Sequence, residues 1–204
     1  MGEALSTAKK AKEQNAHRHR SESVVFCLRT DEKEILKQHW IHTVLVQEPD
    51  IFLKTMVASI QESPKLLDII ACKLSDPAQS NVYEWPKLRR MAKGNCNFFT
   101  KQIIRNNLDE ALMREDSQTL GSIHIKYAPY GFKTTFLDIW QSKLISLIEK
   151  VTFPSQLDRL LFMKAFKILC SFLCNLLVIE YETSMQNLRL QDRACRASVT
   201  TECK

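Results

Sequence analysis

The sequence predicts an all-α fold of seven to eight helices, with flexible tails at both ends. Three observations predict it. Apolar residues recur at helical spacing through most of the chain, and no stretch alternates with period two. Only 4 glycines and 6 prolines stand among 204 residues, too few for the closely spaced turns of a β protein. The prolines that do occur fall between the periodic segments, where they divide one helix from the next. No fixed-period repeat is present, so a solenoid is excluded.

Residues 1–29 are polar and aperiodic and read as a leader. Thr30 can cap a first helix whose opening turn holds Asp31, Glu32 and Glu34, and Leu36, Trp40 and Val44 then share one face. Glu48-Pro49-Asp50 starts a second helix carrying Phe52, Met56 and Ile60. Ser63-Pro64 opens the short apolar segment PKLLDIIACKL, and SDPAQSN reads as a loop. Trp85-Pro86 begins a longer helix with Leu88, Met91, Ala92, Phe98, Phe99 and Ile103, which Asn106-Asn107 ends. Gly94 inside it costs about 1 kcal/mol relative to alanine, which predicts a close packing partner or a helix crossing there.

The stretch LDEALMREDSQ reads as a connection with a helical fragment, leading to the helix that bears His124. Ala128-Pro129-Tyr130-Gly131 breaks the chain again. Phe132, Phe136, Ile139, Trp140, Leu144 and Leu147 then make a strongly amphipathic helix. After Phe153-Pro154-Ser155 comes the longest helix, with Leu157, Leu161, Met163, Phe166, Leu169, Leu173, Leu177 and Ile179. The domain so defined spans 30–182, and 183–204 reads as a flexible C-terminal tail with Arg189, Arg193 and Arg196.

Charge and cysteine usage narrow the classes. The net charge of +6 comes from 29 basic and 23 acidic residues spread along the chain, little footing for a nucleic-acid surface, so no nucleic-acid partner is expected. No run reaches 18 apolar residues, and the nearest, LCSFLCNLLVI, is too short to span a bilayer. Seven cysteines at no metal-ligand spacing read as reduced cytosolic thiols. The start MGEALS fits the acceptor pattern for myristoylation at Gly2, and Lys9, Lys10, Lys12, Arg18 and Arg20 follow it. One acyl chain plus a basic patch suffices for reversible anchoring, which would place a cytoplasmic protein at the inner face of the plasma membrane. Glu3 beside the acceptor glycine speaks for the other reading, a solvated leader.

Four segments in order resemble the globin family, over roughly residues 30–182. EILKQHW is similar to the first globin helix, an apolar pair followed by tryptophan, here Trp40. SPKLLDII resembles the junction of the second and third helices. TLGSIH resembles the Leu-Gly-x-x-His element, and GFKTTFLDIW the entry to the penultimate helix. Divergent invertebrate globins, nematode ones in particular, look most alike. The resemblance implies a haem b cofactor, with His124 as the proximal iron ligand. Leu120 lies one turn before His124 on the same face and can pack under the porphyrin edge. The other imidazole N–H is expected to bond a backbone carbonyl, one turn earlier. Phe132 is expected in the pocket.

Two departures from the family stand out. Ile70 occupies the position where globins wedge a phenylalanine against the haem, and no histidine lies between His42 and His124 to act from the distal side. If Arg89 matches the basic residue two positions after the distal one, the distal residue is Lys87. If Trp85 matches the aromatic three positions before it, the distal residue is Leu88. Met91, one turn on from Lys87, is a further thioether candidate or a core methionine. His39 and His42 read as surface histidines on the first helix. Tyr127 and Tyr130 can cover the haem edge or pack at a helix corner, and Lys126 can pair with a propionate.

The function expected from the resemblance is binding of dioxygen or another diatomic gas at haem iron, for gas carriage or sensing. A haem redox protein in redox signalling is the first alternative, with weak enzymatic turnover as its extension. A haem-free globin-like interaction module is the second, favoured by Ile70. A homodimer is compatible with all three.

Overall fold

The structure, a computed structural model, describes residues 25–71 and 82–201. Its seven helices, with no strand among the described residues, bear out the all-α expectation. Helix α1 (Thr30–His39) begins one residue earlier than a Thr30 cap would place it. Arg29 is the capping residue, and the Glu32 carboxylate accepts from its backbone N–H at 2.9 Å, one half of a capping box. Glu32 is 2% exposed and also pairs with Lys164 at 2.7 Å. That hydrogen bond, with the Arg29 N–H, holds its carboxyl below the usual range.

The folded unit starts earlier than residue 30. Phe26 and Leu28 are buried, and the Phe26 ring lies 4.8 Å from that of Phe172. Helix α1 widens into a π turn at Trp40–Val44 before a last α turn, Leu45–Gln47. His39, expected at the surface, is only 3% exposed. Its Nδ1 lies 2.9 Å from the Thr43 hydroxyl, and its ring meets Phe153 edge-on at 5.5 Å. His42 is exposed, as expected.

Helices α2 (Ile51–Glu62) and α3 (Lys65–Ala71) follow. The expected SDPAQSN loop lies outside the described residues. After a 3₁₀ turn at Val82–Glu84, α4 (Pro86–Thr100) starts as its proline predicts, and it passes into a π turn, Lys101–Arg105. Asn107 and Leu108 then take positive φ, 51° and 58°. Leu108 is an unusual residue for that region, and its side chain is fully buried.

Helix α5 (Glu110–His124) absorbs the LDEALMREDSQ stretch, so the expected connection is the first half of the histidine helix. Its start is set by Asp109, whose carboxylate accepts from the Leu112 N–H at 3.0 Å. A 3₁₀ segment, Ile125–Tyr130, ends at Gly131 with φ 87°, and α6 spans Thr135–Ile148.

Helix α7 (Gln156–Thr201) runs 46 residues, so the backbone of the expected C-terminal tail stays helical as far as Thr201. The reason is chemical: no glycine or proline follows Pro154, and nothing in the sequence stops the helix. Helix α7 is long and apolar enough to cross a membrane by length and composition, and 67% of its most apolar window is buried within this fold.

The helices pack in two groups. Helix α7 lies against α5, α1 and α6, while α2 lies against α6 and α4. Trp40, Phe52, Phe99, Phe162 and Phe166 fill the centre, with Trp40 stacked on Phe166 at 5.8 Å. Gly94 is not the crossing point expected of it: a Cβ built there meets nothing within 4 Å. The crossing is at Gly121, where a Cβ would lie 2.5 Å from the Glu180 Cβ. Helix α5 can approach α7 so closely only because residue 121 lacks a side chain.

Candidate ligand cavity

Six of the seven helices wall one apolar cavity. Met56 and Ser59 of α2, Leu66, Ile69 and Ile70 of α3, and Met91, Asn95, Phe98 and Phe99 of α4 form one side. Leu120 and His124 of α5, Phe136, Leu137 and Trp140 of α6, and Leu173, Cys174 and Leu177 of α7 form the other, with Tyr127 and Phe132 from the intervening chain. Its enclosed volume is about 120 Å³, and with the open solvent at its mouth the empty space comes to about 930 Å³. An aromatic floor separates it from the core: Phe99 lies 5.9 Å from Trp140 and 6.2 Å from Trp40.

His124 stands at the end of α5. Its Nδ1 lies 2.8 Å from the Leu120 carbonyl oxygen. A carbonyl only accepts, so Nδ1 carries the proton and donates, which leaves Nε2 with a lone pair. The carbonyl one turn earlier is the partner the resemblance implied. The Phe132 ring, at 5.4 Å, and the Tyr127 ring, at 6.3 Å, flank the imidazole. Burial pushes the His124 pKa below its ordinary value, and the hydrogen bond to Leu120 offsets this only in part. The imidazole is therefore neutral near pH 7, the form that ligates a metal.

This depression ties stability to pH. An unfolded imidazole titrates near about 6.5, and the folded one lower. The contribution is complete above the unfolded value and is lost as pH falls through the folded one. As pH falls below about 6.5, the urea midpoint of the wild type should therefore drop more steeply than that of His124→Leu. Parallel curves would show that the ring titrates alike in both states.

Of the pocket residues expected from the sequence, Ile70, Met91, Leu120, His124 and Phe132 line this cavity, and Lys87 and Leu88 do not. Leu88 faces the core and is fully buried. The Lys87 ammonium stands 5.8 Å from the centre of the Tyr127 ring, a cation–π contact. Lys126 and Tyr130 are exposed. Gly2 lies outside the described residues. Asn95 and Met56 were not among the expected pocket residues. Asn95 was legible only as the position one turn after Met91 on the same helix face.

An outer groove between α4 and α5 adjoins the cavity, sharing Met91, Asn95, Leu120 and His124 with it. Asp116 anchors one end, pairing with Lys101 at 2.7 Å and accepting from Gln102 and Asn106 at 2.9 Å each. Burial pushes its carboxyl up, but these three bonds outweigh that and hold it below the usual range. Cys174 lines the cavity beside Cys170, whose thiol is pushed well above its ordinary pKa by their mutual hydrogen bond and by burial. The Cys170 thiol is therefore protonated at neutral pH. Among the described residues no group of three or more His, Cys, Asp or Glu could hold a metal ion.

The chain matches no protein-family model, and no curated protein matches it at a significant level.

Proposed function

We propose that this chain is a globin-like haem protein that binds dioxygen or another diatomic gas, with His124 as the single protein ligand to the iron. The observation that carries the reading is the state of His124. The ring is neutral, its Nδ1 is committed to the Leu120 carbonyl, and it lines an apolar cavity that opens to solvent. The donor set fits the group: one imidazole nitrogen is available, and walls of leucine, isoleucine, phenylalanine and methionine suit the faces of a porphyrin. Haem, when bound, supplies an iron with one position open to a small ligand.

The protein's own residues do the rest. The Leu120 carbonyl fixes the ring's tautomer and orientation. Phe132 and Tyr127 restrict its rotation. Ile70, at 3% exposed, supplies apolar burial without an aromatic face. Phe99 and Trp140, 5.9 Å apart, form an apolar floor.

The test is a titration of the purified full chain with haemin, followed in the visible spectrum. A saturable Soret band is expected, lost in His124→Ala and restored when free imidazole is added to that variant. Far-UV circular dichroism reports whether the variant still folds. Wild-type protein that gives no band overturns the reading and leaves the haem-free interaction module.

A further inference from the structure

The surplus of positive charge has an address. The 29 basic residues exceed the 23 acidic ones by 6, and residues 86–105 hold six basic residues and no acidic one. The remainder of the chain, with 23 of each sign, is neutral in sum. Charge that reads as spread along the chain is therefore in excess on α4 and its π turn. Arg89, Arg90, Lys93, Asn97 and Lys101 fall within about 120° of one another around the helix axis, opposite the buried Leu88, Ala92 and Phe99. All five are exposed, as is Arg105 on the π turn. Asp116 of α5 pairs with Lys101 at 2.7 Å. Among the described residues, Arg89, Arg90, Lys93 and Arg105 make no ion pair.

Two further features describe what this face fits. Between Tyr83 and Ile104 no large apolar side chain is exposed, so the face lacks the aromatic or aliphatic anchor on which protein partners concentrate binding. Gly94 lies at its edge, and a Cβ there would meet nothing inside the fold. The missing side chain serves no internal packing and leaves the helix open to close approach from outside. We propose that the outer face of α4 is a docking surface for an anionic lipid bilayer. A bilayer is flat and needs no socket, and its headgroups move to meet unpaired cations, each of which strengthens binding roughly fivefold. Docked in this way, the outer groove lined by Gly94, Asn97, Lys101 and Arg105 faces the headgroups. The surface is independent of the haem reading.

The experiment is co-sedimentation of the purified full chain, without added haem, with vesicles of phosphatidylcholine alone or with about 25% phosphatidylserine. The wild type is expected to bind only the mixed vesicles and to leave them as salt is raised. Arg90→Gln/Lys93→Gln is expected to bind them about 25-fold more weakly, two cations at fivefold each. Lys133→Gln/Lys150→Gln removes the same net charge from exposed positions outside α4, and should change binding by less than about twofold. Far-UV circular dichroism shows whether each variant folds, and Arg89→Gln/Arg105→Gln is the second pair should the first disturb α4. Equal losses in the α4 pair and the control pair place the attraction elsewhere and overturn the proposal. A wild type indifferent to lipid charge also overturns it. Duplex DNA that binds as tightly at the same salt, and is lost with the same α4 pair, assigns the face to nucleic acid instead. None of these outcomes bears on the haem reading.

Discussion

Gly121→Val lowers the melting temperature by roughly 6–12 °C, for a cost of about 3 kcal/mol at the upper end of the overpacking range. The physical cause is local. A single Cβ at residue 121 already meets the Glu180 Cβ at 2.5 Å, and backbone atoms of Glu180 and Tyr181 lie at 3.5 Å. These are not the far ends of flexible side chains, so α5 or α7 itself must move. Helix α5 ends in His124, three residues on, and Tyr181 is tied to the same region by its hydroxyl, which donates to the Phe132 carbonyl at 3.2 Å. If His124 holds haem as proposed, the variant is expected to lose haem affinity as well as stability. Gly94→Ala is the matched control: its Cβ meets nothing, so the helix-propensity gain of about 1 kcal/mol is realised. Thermal unfolding by circular dichroism checks both signs. If Gly121→Val melts with the wild type, the crossing does not constrain α5.

The contrast between these two glycines shows what periodicity can and cannot reveal. A glycine inside a helix announces that something unusual is tolerated, but not whether the helix crosses a neighbour there. That depends on which faces meet, a tertiary property. For the same reason His39 read as a surface residue: a lone histidine on an amphipathic helix carries no sign of the Phe153 and Phe162 rings that enclose it. The helix starts were legible because they have local chemistry. Pro86 opens α4, and breakers stand before α6 and α7.

LDEALMREDSQ was harder to read, because its charged residues hide the buried stripe of Met113 and Ser117 that continues to Gly121. The C-terminal reach of α7 was hidden differently. Polar residues after Glu182 suggested a tail, yet helix persists where nothing breaks it. In the cavity, the face shared by Leu120 and His124 followed from i, i+4 spacing alone. Asn95 did not, since a polar residue on a helix is ordinarily assigned to solvent. Its place in the wall emerges only once Met56 on α2 is opposite it.

Trp40→Ala is expected to be the most damaging core truncation, costing about 3–5 kcal/mol, or roughly 6–20 °C in melting temperature. Trp40 is fully buried and meets four groups. Its ring stacks on Phe166 at 5.8 Å, meets Phe52 at 6.1 Å and Phe99 at 6.2 Å, and its Nε1–H donates to the Thr100 hydroxyl at 3.0 Å. That bond spans the two π turns, since Trp40 opens one and Thr100 precedes the other. Trp40→Phe retains most of the volume and leaves Thr100 without its donor, so about 1 kcal/mol is lost instead. Phe99 faces the cavity on its other side, so the alanine variant also loosens the cavity floor. Its haem affinity should fall with its stability, whereas Trp40→Phe keeps affinity near wild type. Should the alanine variant lose several kcal/mol and still bind haem unchanged, Phe99 holds the floor without support from the core.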